Sequence, residues 1–174
     1  MNNAAAESWE TRLAEYWKSL DTQEPDAFVD GLEVLLRELP ADSAIALFER
    51  GAALDSTGRP ERAVPLYAQA LQTGLSGLRR RRAVIQMASS LRNLGHAARA
   101  VELLSAELAA DEDELTQAVR AFLALALADL GREREGLAIS LTALSHYLPR
   151  YNRSLARYAE RLIEVGRSSG QNAG

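Results

Sequence analysis

Apolar residues recur three and four positions apart along most of the chain, which is the spacing of a helical face rather than of a strand. Pro25 lies between the first two such segments and Pro40 follows the second. Pro25 suits the first turn of a helix, where a missing N–H costs nothing. The two stripes are Trp9, Leu13, Tyr16, Trp17 and Leu20, and then Phe28, Leu32, Leu35, Leu36 and Leu39. The same spacing predicts further helices at about 41–57, 60–73, 77–94, 97–110, 114–130, 133–147 and 150–166. The chain is therefore expected to be all-α.

One eleven-residue skeleton occurs three times between these helices. It reads LDSTGRPERAV at 54–64, LRNLGHAARAV at 91–101 and LADLGREREGL at 127–137. Each copy begins with a leucine, has a glycine four residues later and a small residue five residues after the glycine. The glycines lie 37 and then 36 residues apart. Internal repetition at this period predicts a stacked array of helix pairs.

Each position of the skeleton has a physical reason. Glycine accepts a left-handed conformation at low cost, so it ends the first helix of each pair, and the small residue lets the second helix approach closely. The leucine fills the seam between the two helices one turn earlier. The repeat-defining residues are Leu54, Gly58, Ala63, Leu91, Gly95, Ala100, Leu127, Gly131 and Gly136.

Residues 44–148 resemble three tetratricopeptide repeats. The segments AVPLYAQAL, IQMASSLRNLG and AFLALALADLG are similar to the group 5 tetratricopeptide domain, a three-repeat module common in bacteria. The resemblance implies a right-handed superhelical stack of antiparallel helix pairs. It also implies a non-catalytic scaffold for protein–protein interaction, without a cofactor.

The remaining segments flank this array. Residues 1–43 are expected to form an N-terminal helical pair that caps one end, and residues 149–167 a C-terminal capping helix. Residues 168–174 have nothing to bury and are expected to be disordered.

Composition narrows the classes of function. The 174 residues carry a net charge of −4 with a pI near 5.3, which argues against a broad surface for nucleic acid or anionic membranes. The absence of cysteine excludes disulfides and thiolate metal sites. Neither a signal peptide nor a long apolar segment is evident, so a cytoplasmic location is expected.

Candidate chemistry is sparse. His96 and His146 lack partners at catalytic spacing. The acidic run at 111–114 lacks the ligand spacing of a calcium loop and suits the beginning of a helix, whose positive end it complements. We therefore expect neither an enzyme nor a metal site.

Four consecutive arginines at 79–82 admit two interpretations. In the favoured interpretation they are solvated and pair with nearby carboxylates, and in the other they bind an acidic partner. A remote third option is contact with RNA.

A polar row lies on the first helix of the middle repeat, opposite its buried stripe of Val84, Met87, Ala88, Leu91 and Leu94. The row contains Arg82, Gln86, Ser89 and Asn93, spaced four, three and four residues apart, with Ile85 and Arg92 beside it. The resemblance places this row in the concave groove, where amide and guanidinium groups could satisfy the carbonyls of an incoming segment. A solvated helix face would give the same pattern.

The equivalent rows of the outer repeats differ. The first contributes Phe48 and Asp55, and the third contributes Phe122, Leu125 and Asp129. The third row is apolar, so either the C-terminal helix folds over it or it remains open as a pocket or homodimer surface. Covering is favoured, because that helix carries its own apolar stripe of Leu155, Tyr158, Ala159 and Leu162.

Two hypotheses of function follow. The first is a scaffold that binds a peptide segment or partner helix in the groove. The alternative is a structural homo-oligomerisation module whose groove is occupied by its own flanking helices. The sequence does not name the partner.

Overall fold

The computed structural model describes the backbone of residues 3–171 and the side chains of residues 9–163. Within that range every regular element is a helix, which confirms the all-α prediction. The helices are α1 Asn3–Trp17, α2 Pro25–Leu36, α3 Ala44–Ser56, α4 Pro60–Gln72, α5 Gly77–Asn93, α6 Ala97–Leu108, α7 Thr116–Ala128, α8 Glu133–Ser145 and α9 Asn152–Gln171. A short 3-10 turn, Leu20–Thr22, follows α1. Pro25 and Pro60 stand in the first turns of α2 and α4, where proline fits best.

The C-terminal helix is longer than the sequence suggests. Because α9 continues to Gln171, residues 168–171 are helical, and the prediction of a disordered tail there is wrong. Residues 172–174 of that predicted tail lie outside the described residues.

The three predicted glycine turns share one hydrogen-bond pattern. Gly58, Gly95 and Gly131 have φ values of +80°, +84° and +72°, as the left-handed prediction requires. After each glycine, the next residue donates its backbone N–H to the carbonyl of the skeleton leucine. These bonds are Arg59 to Leu54 at 2.8 Å, His96 to Leu91 at 2.8 Å and Arg132 to Leu127 at 2.9 Å. This closure is the Schellman motif, so the sequence repeat is also a repeat of backbone geometry.

The small residue after each turn lies at a close helix contact. Ala63 and Ala100 are fully buried. A Cβ added to Gly136 would lie 2.7 Å from the carbonyl oxygen of Ala124 on α7, closer than real atoms approach. The third repeat therefore uses glycine where the other two use alanine.

The chain divides into two compact units, residues 1–83 and residues 84–174, with the boundary inside α5. In the first unit, α3 and α4 pack as a pair and α2 packs on α3. The core contributed by the N-terminal helices contains Trp9, Leu13, Phe28, Leu32, Leu36 and Ala53. Indole and phenol groups also fix these helices, because Trp9 Nε1 donates to the Leu35 carbonyl at 3.0 Å and the Tyr16 hydroxyl donates to that of Phe28 at 2.9 Å.

In the second unit, α7 packs between α6 and α8, and α9 packs along α8. Its core contains Ile85, Ala88, Ala100, Leu104, Val119, Leu123, Ala126 and Leu127. Ala159 of α9 is fully buried, and Arg134 Nε on α8 donates to the Leu162 carbonyl at 2.8 Å.

The prediction that the C-terminal helix folds over Phe122 and Leu125 is wrong. Leu125 remains 47% exposed, and Phe122 is half-buried against the core of its own unit. The reason is that α9 packs along α8 as α7 packs along α6, so the helix extends the array instead of folding back over α7.

The buried stripe of α5 is narrower at its C-terminal end than predicted. Val84, Met87 and Ala88 are buried, as expected. Leu94 is 38% exposed because α5 ends at Asn93, so its place in that stripe is wrong. Ile85, predicted to flank the polar row, instead belongs to the core of the second unit.

Replacing Ala100 tests the close contact after the second turn. Because the site is fully buried, Ala100→Leu should overpack it and lower the free energy of unfolding by about 1–3 kcal/mol. The neighbouring Arg99→Leu creates the same residue at an exposed position and serves as the control. Chemical denaturation of both variants measures the difference, and equal midpoints would contradict the repeat assignment.

An ion pair joins α2 to α3 in the first unit. Arg50 donates from Nε and Nη2 to the two carboxylate oxygens of Glu33, both at 2.8 Å. This pairing holds the pKa of Glu33 below its ordinary value. The unfolded chain therefore binds a proton at Glu33 at a higher pH than the folded protein does, and the pair stabilises the fold only while Glu33 is ionised.

We expect the melting temperature to fall as the pH drops below the ordinary glutamate pKa of about 4.5 and through the lower folded value. The Glu33→Gln variant should have a lower melting temperature than the unaltered protein at pH 7. Its melting temperature should fall less on acidification, because glutamine takes up no proton. Melting curves from pH 3 to pH 7 measure both slopes. Parallel curves for the two proteins would show that this pair does not control acid stability.

Candidate functional site

The predicted polar row of α5 and the apolar row of α7 lie on helices that share one core in the second unit. An ion pair also joins the C-terminal ends of α5 and α7, with 2.5 Å between Arg92 Nε and Asp129 Oδ2. We call this surface the α5–α7 face, and its residues are Gln86, Ser89, Arg92, Asn93, Phe122, Leu125 and Asp129. Seven of the ten residues predicted to contact a partner thus lie on these two helices, and the structure brings Arg92 and Asp129 into contact.

The α5–α7 face offers both polar and apolar groups. Gln86 and Ser89 are half-buried, whereas Asn93 and Leu125 are exposed. The Oε1 atom of Gln86 is buried and accepts no hydrogen bond from any described residue. Because a buried amide oxygen without a donor is unfavourable, Gln86 Oε1 is an unsatisfied acceptor on α5.

The other three predicted residues, Arg82, Phe48 and Asp55, belong to the first unit. Phe48 is fully buried, with its ring centroid 6.1 Å from that of Tyr67 and the Arg82 guanidinium 5.2 Å above it. Its ring has no accessible surface, so including Phe48 among the residues that contact a partner is wrong. The physical reason is that this face of α3 is covered within its own unit.

Asp55 also has a structural role. The Tyr67 hydroxyl donates to Asp55 Oδ2 at 3.3 Å, which joins α4 to α3. Burial, followed by the negative charge of Asp55, raises the pKa of Tyr67 well above its ordinary value. The phenol therefore remains a hydrogen-bond donor at any physiological pH.

A buried carboxylate accepts the hydrogen bonds at the rest of this face of α3. Glu49 is 1% exposed, and it accepts hydrogen bonds from Trp17 Nε1 at 2.9 Å and from Arg79 Nε at 3.0 Å. Arg79 reaches on to Glu10 of α1, with bonds of 2.9 and 2.5 Å. Side chains of α1 and α5 thus close over Glu49, on the face of α3 that the sequence predicted to line a groove.

The arginine run at 79–82 is largely engaged within the protein. Arg79 bridges two carboxylates, Arg81 is 5% exposed, and Arg82 covers the Phe48 ring. Arg80 is exposed and also has an interaction within the chain. Pairing with carboxylates, the favoured interpretation, is confirmed for Arg79.

The candidate metal ligands and histidines are dispersed in the described part of the chain. No cluster of three or more histidine, aspartate or glutamate side chains there could hold a metal ion. His96 and His146 are both exposed, one before α6 and the other after α8. None of the described helices is both long and apolar enough to cross a bilayer.

The recurrent turns and helix pairs correspond to a known family. A family model described as tetratrico peptide repeat matches residues 44–162, which is more than half of the chain. The chain belongs to the tetratricopeptide repeat family. Repeats of this kind generally mediate protein–protein interactions, and their stacked helices provide extended binding surfaces. No curated protein and no solved structure matches the chain.

The family match relates the helices to tetratricopeptide repeats. It begins at Ala44, the first residue of α3, as the sequence predicted. The pairs α3–α4, α5–α6 and α7–α8 correspond to the three repeats that the sequence predicts. The match then continues to residue 162 inside α9, further than the predicted boundary at 148. The α5–α7 face is therefore built from the first helices of the second and third repeats.

Arg79→Ala should remove the guanidinium that faces buried Glu49. Leaving a buried carboxylate without its cationic partner should cost about 3 kcal/mol of unfolding free energy. Arg80→Ala is the matched control in the same run, and because Arg80 is exposed it should cost within ~0.5 kcal/mol. Urea denaturation distinguishes the two. Equal stability would mean that the contacts of Arg79 with Glu49 and Glu10 do not hold the first unit together.

Proposed function

We propose that the protein is a non-catalytic interaction scaffold whose α5–α7 face binds a segment of a partner protein. The observation that carries this proposal is the Arg92–Asp129 pair, which joins a helix with amide groups to a helix with a half-exposed leucine. Membership of the tetratricopeptide repeat family supports an interaction role.

The chemistry of the face suits a peptide backbone. When its side chain turns outward, Gln86 can accept a backbone N–H of the partner through Oε1, and a partner carbonyl can accept from the exposed Asn93 amide. Leu125, with half-buried Phe122 on the same helix, offers apolar contact to one side chain of the partner. An extended segment or one face of a helix satisfies these requirements.

Arg92 has a positioning role in this proposal. Its guanidinium pairs with Asp129, so removing it would alter the relation between α5 and α7 as well as any contact with a partner. Leu125 is the better probe of binding, because almost half of its surface is exposed and the core does not depend on it.

The homo-oligomerisation hypothesis has one observation in its favour. Side chains from flanking helix α1 occupy the face of α3 in the first repeat, as a groove filled by its own chain requires. In the second unit the flanking helix α9 packs on α8 instead of covering the first helix of a repeat. Light scattering of the purified protein decides whether a second copy is the partner.

Leu125→Asp should abolish or strongly weaken partner binding. Placing a charge at an apolar contact should cost at least about 1.4 kcal/mol, or tenfold in affinity. The melting temperature should stay nearly unchanged, because an exposed substitution costs within ~0.5 kcal/mol.

Leu137→Asp on α8 is the matched control, since Leu137 is 51% exposed against 47% for Leu125. Affinity purification with mass spectrometry identifies the native partner, and calorimetry then compares both variants with the unaltered protein. Undiminished affinity of Leu125→Asp would exclude the α5–α7 face as the binding surface.

A further inference from the structure

The arginines of the second unit fall into two groups. Those in the first four helices have carboxylate or carbonyl partners: Arg92 with Asp129, Arg99 with Glu102, Arg120 with Glu112, Arg132 with Glu135 and Arg134 with the Leu162 carbonyl. In contrast, Arg150, Arg153, Arg157 and Arg161 are all exposed, and none forms an ion pair with any described residue. Among the described side chains of this unit, the guanidinium groups without a carboxylate partner are thus those at 150–161.

Two exposed tyrosines lie among these arginines. Tyr151 is 77% exposed and Tyr158 is 53% exposed. The guanidinium carbons of Arg157 and Arg161 lie 5.7 and 5.9 Å from the centroid of the Tyr158 ring, close enough for cation–π attraction. We call this surface the arginine–tyrosine surface, and its residues are Arg150, Tyr151, Arg153, Arg157, Tyr158 and Arg161.

The arginine–tyrosine surface has the opposite charge from the rest of the protein. The whole chain carries a net charge of −4, but residues 150–161 hold four arginines against a single acidic residue, Glu160. Arginine and tyrosine are also enriched at protein interfaces, where they carry much of the binding energy. A local positive surface on an acidic protein favours an acidic partner by charge complementarity.

The backbone at Tyr151 gives a second, independent observation. Tyr151 has a φ of +65°, and every other described residue with a positive φ is a glycine. Its carbonyl accepts the first hydrogen bond of α9, from Leu155 N at 2.9 Å. Glycine would adopt this conformation without strain, whereas a bulky residue does so at a cost. Because the ring is mostly exposed, packing does not explain why a tyrosine stands here.

The spacing of three arginines matches an extended chain. Arg153, Arg157 and Arg161 follow one another at intervals of four residues in α9, so successive side chains are about 6 Å apart along the helix axis. Alternate side chains of an extended peptide repeat at about 6.6 Å. Carboxylates at every second residue of an extended segment would therefore face these guanidinium groups in register, and each could accept paired N–H bonds.

We propose that the arginine–tyrosine surface binds an extended acidic segment of a partner protein, at a site separate from the α5–α7 face. The guanidinium groups bind alternate carboxylates, and the Tyr151 and Tyr158 rings cover the backbone between them. A nucleic acid fits less well. The spaced arginines extend only about 12 Å, the protein is acidic, and the acidic residues at 111–114 of the same unit are exposed.

Fluorescence anisotropy of a labelled peptide with six glutamate–serine repeats, added to the full chain, tests the proposal. Binding should be saturable, should weaken with added salt, and should be absent for the equivalent glutamine–serine peptide. The double variant Arg157→Glu and Arg161→Glu should lose at least about tenfold in affinity, since two charge-assisted contacts become repulsive.

Arg37→Glu with Arg99→Glu is the matched control, because both arginines are exposed, neither belongs to α9 and the net charge changes equally. Its affinity for the peptide should stay within about twofold of the unaltered protein, since a change of net charge alone is screened by salt. Equal losses in the two double variants, or no saturable binding of the glutamate peptide, would overturn the proposal. So would tighter binding of an oligothymidylate of equal charge.

Tyr151→Gly separates binding from folding. Glycine relieves the positive φ, so the melting temperature should stay equal or rise, while affinity for the glutamate peptide should fall. A merely structural tyrosine would give the opposite result, a lower melting temperature with unchanged affinity. Leu125→Asp should bind this peptide like the unaltered protein, so failure of one proposed surface is distinguishable from failure of the other.

Discussion

A glycine in the left-handed conformation ends the first helix of each repeat, and the array depends on this turn. At Gly58, Gly95 and Gly131 the backbone reverses its direction in a tight turn. The N–H of the residue after each glycine donates a hydrogen bond to the carbonyl of the leucine four residues before that glycine. The second helix then starts close to the first and antiparallel to it. Only a small side chain fits where the two backbones meet. In the third repeat the backbones are so close at Gly136 that not even a Cβ atom fits.

Once the helices are paired in this way, each first helix needs only part of its surface for packing. In the first repeat the remaining face of α3 is used for stability, because Trp17 and Arg79 both bond the buried carboxylate of Glu49. In the second unit the corresponding residues stay half-buried or exposed, and Gln86 keeps a buried oxygen without a donor. The same structural repeat thus supports folding at one position, and at another it carries the residues that we propose contact a partner.

The fold was predictable from the sequence because its determinants are local. Helical periodicity, the three glycines and the small residues after them act within about ten residues, so a single sequence reveals them. The contacts of Arg79 with Glu10 were not predictable, since the two residues are 69 positions apart and any of several carboxylates could have served. The position of α9 also escaped prediction, because its apolar stripe would suit α7 as well as α8. Phe48 was misassigned for a related reason, since the spacing of residues along α3 does not show which of them another helix buries.

The position of α9 explains why the two surfaces that we propose for the second unit differ in chemistry. Its apolar side is used against α8, where Ala159 is fully buried, so packing does not constrain the outward residues. Among the side chains that the structure describes, those residues are arginines without a carboxylate partner, next to a tyrosine in a strained conformation. The α5–α7 face, in contrast, has a neutral and partly apolar chemistry. A partner that carried an acidic segment beside an apolar one would engage both surfaces. Once one segment had bound, the other would be held near its own surface at a high effective concentration.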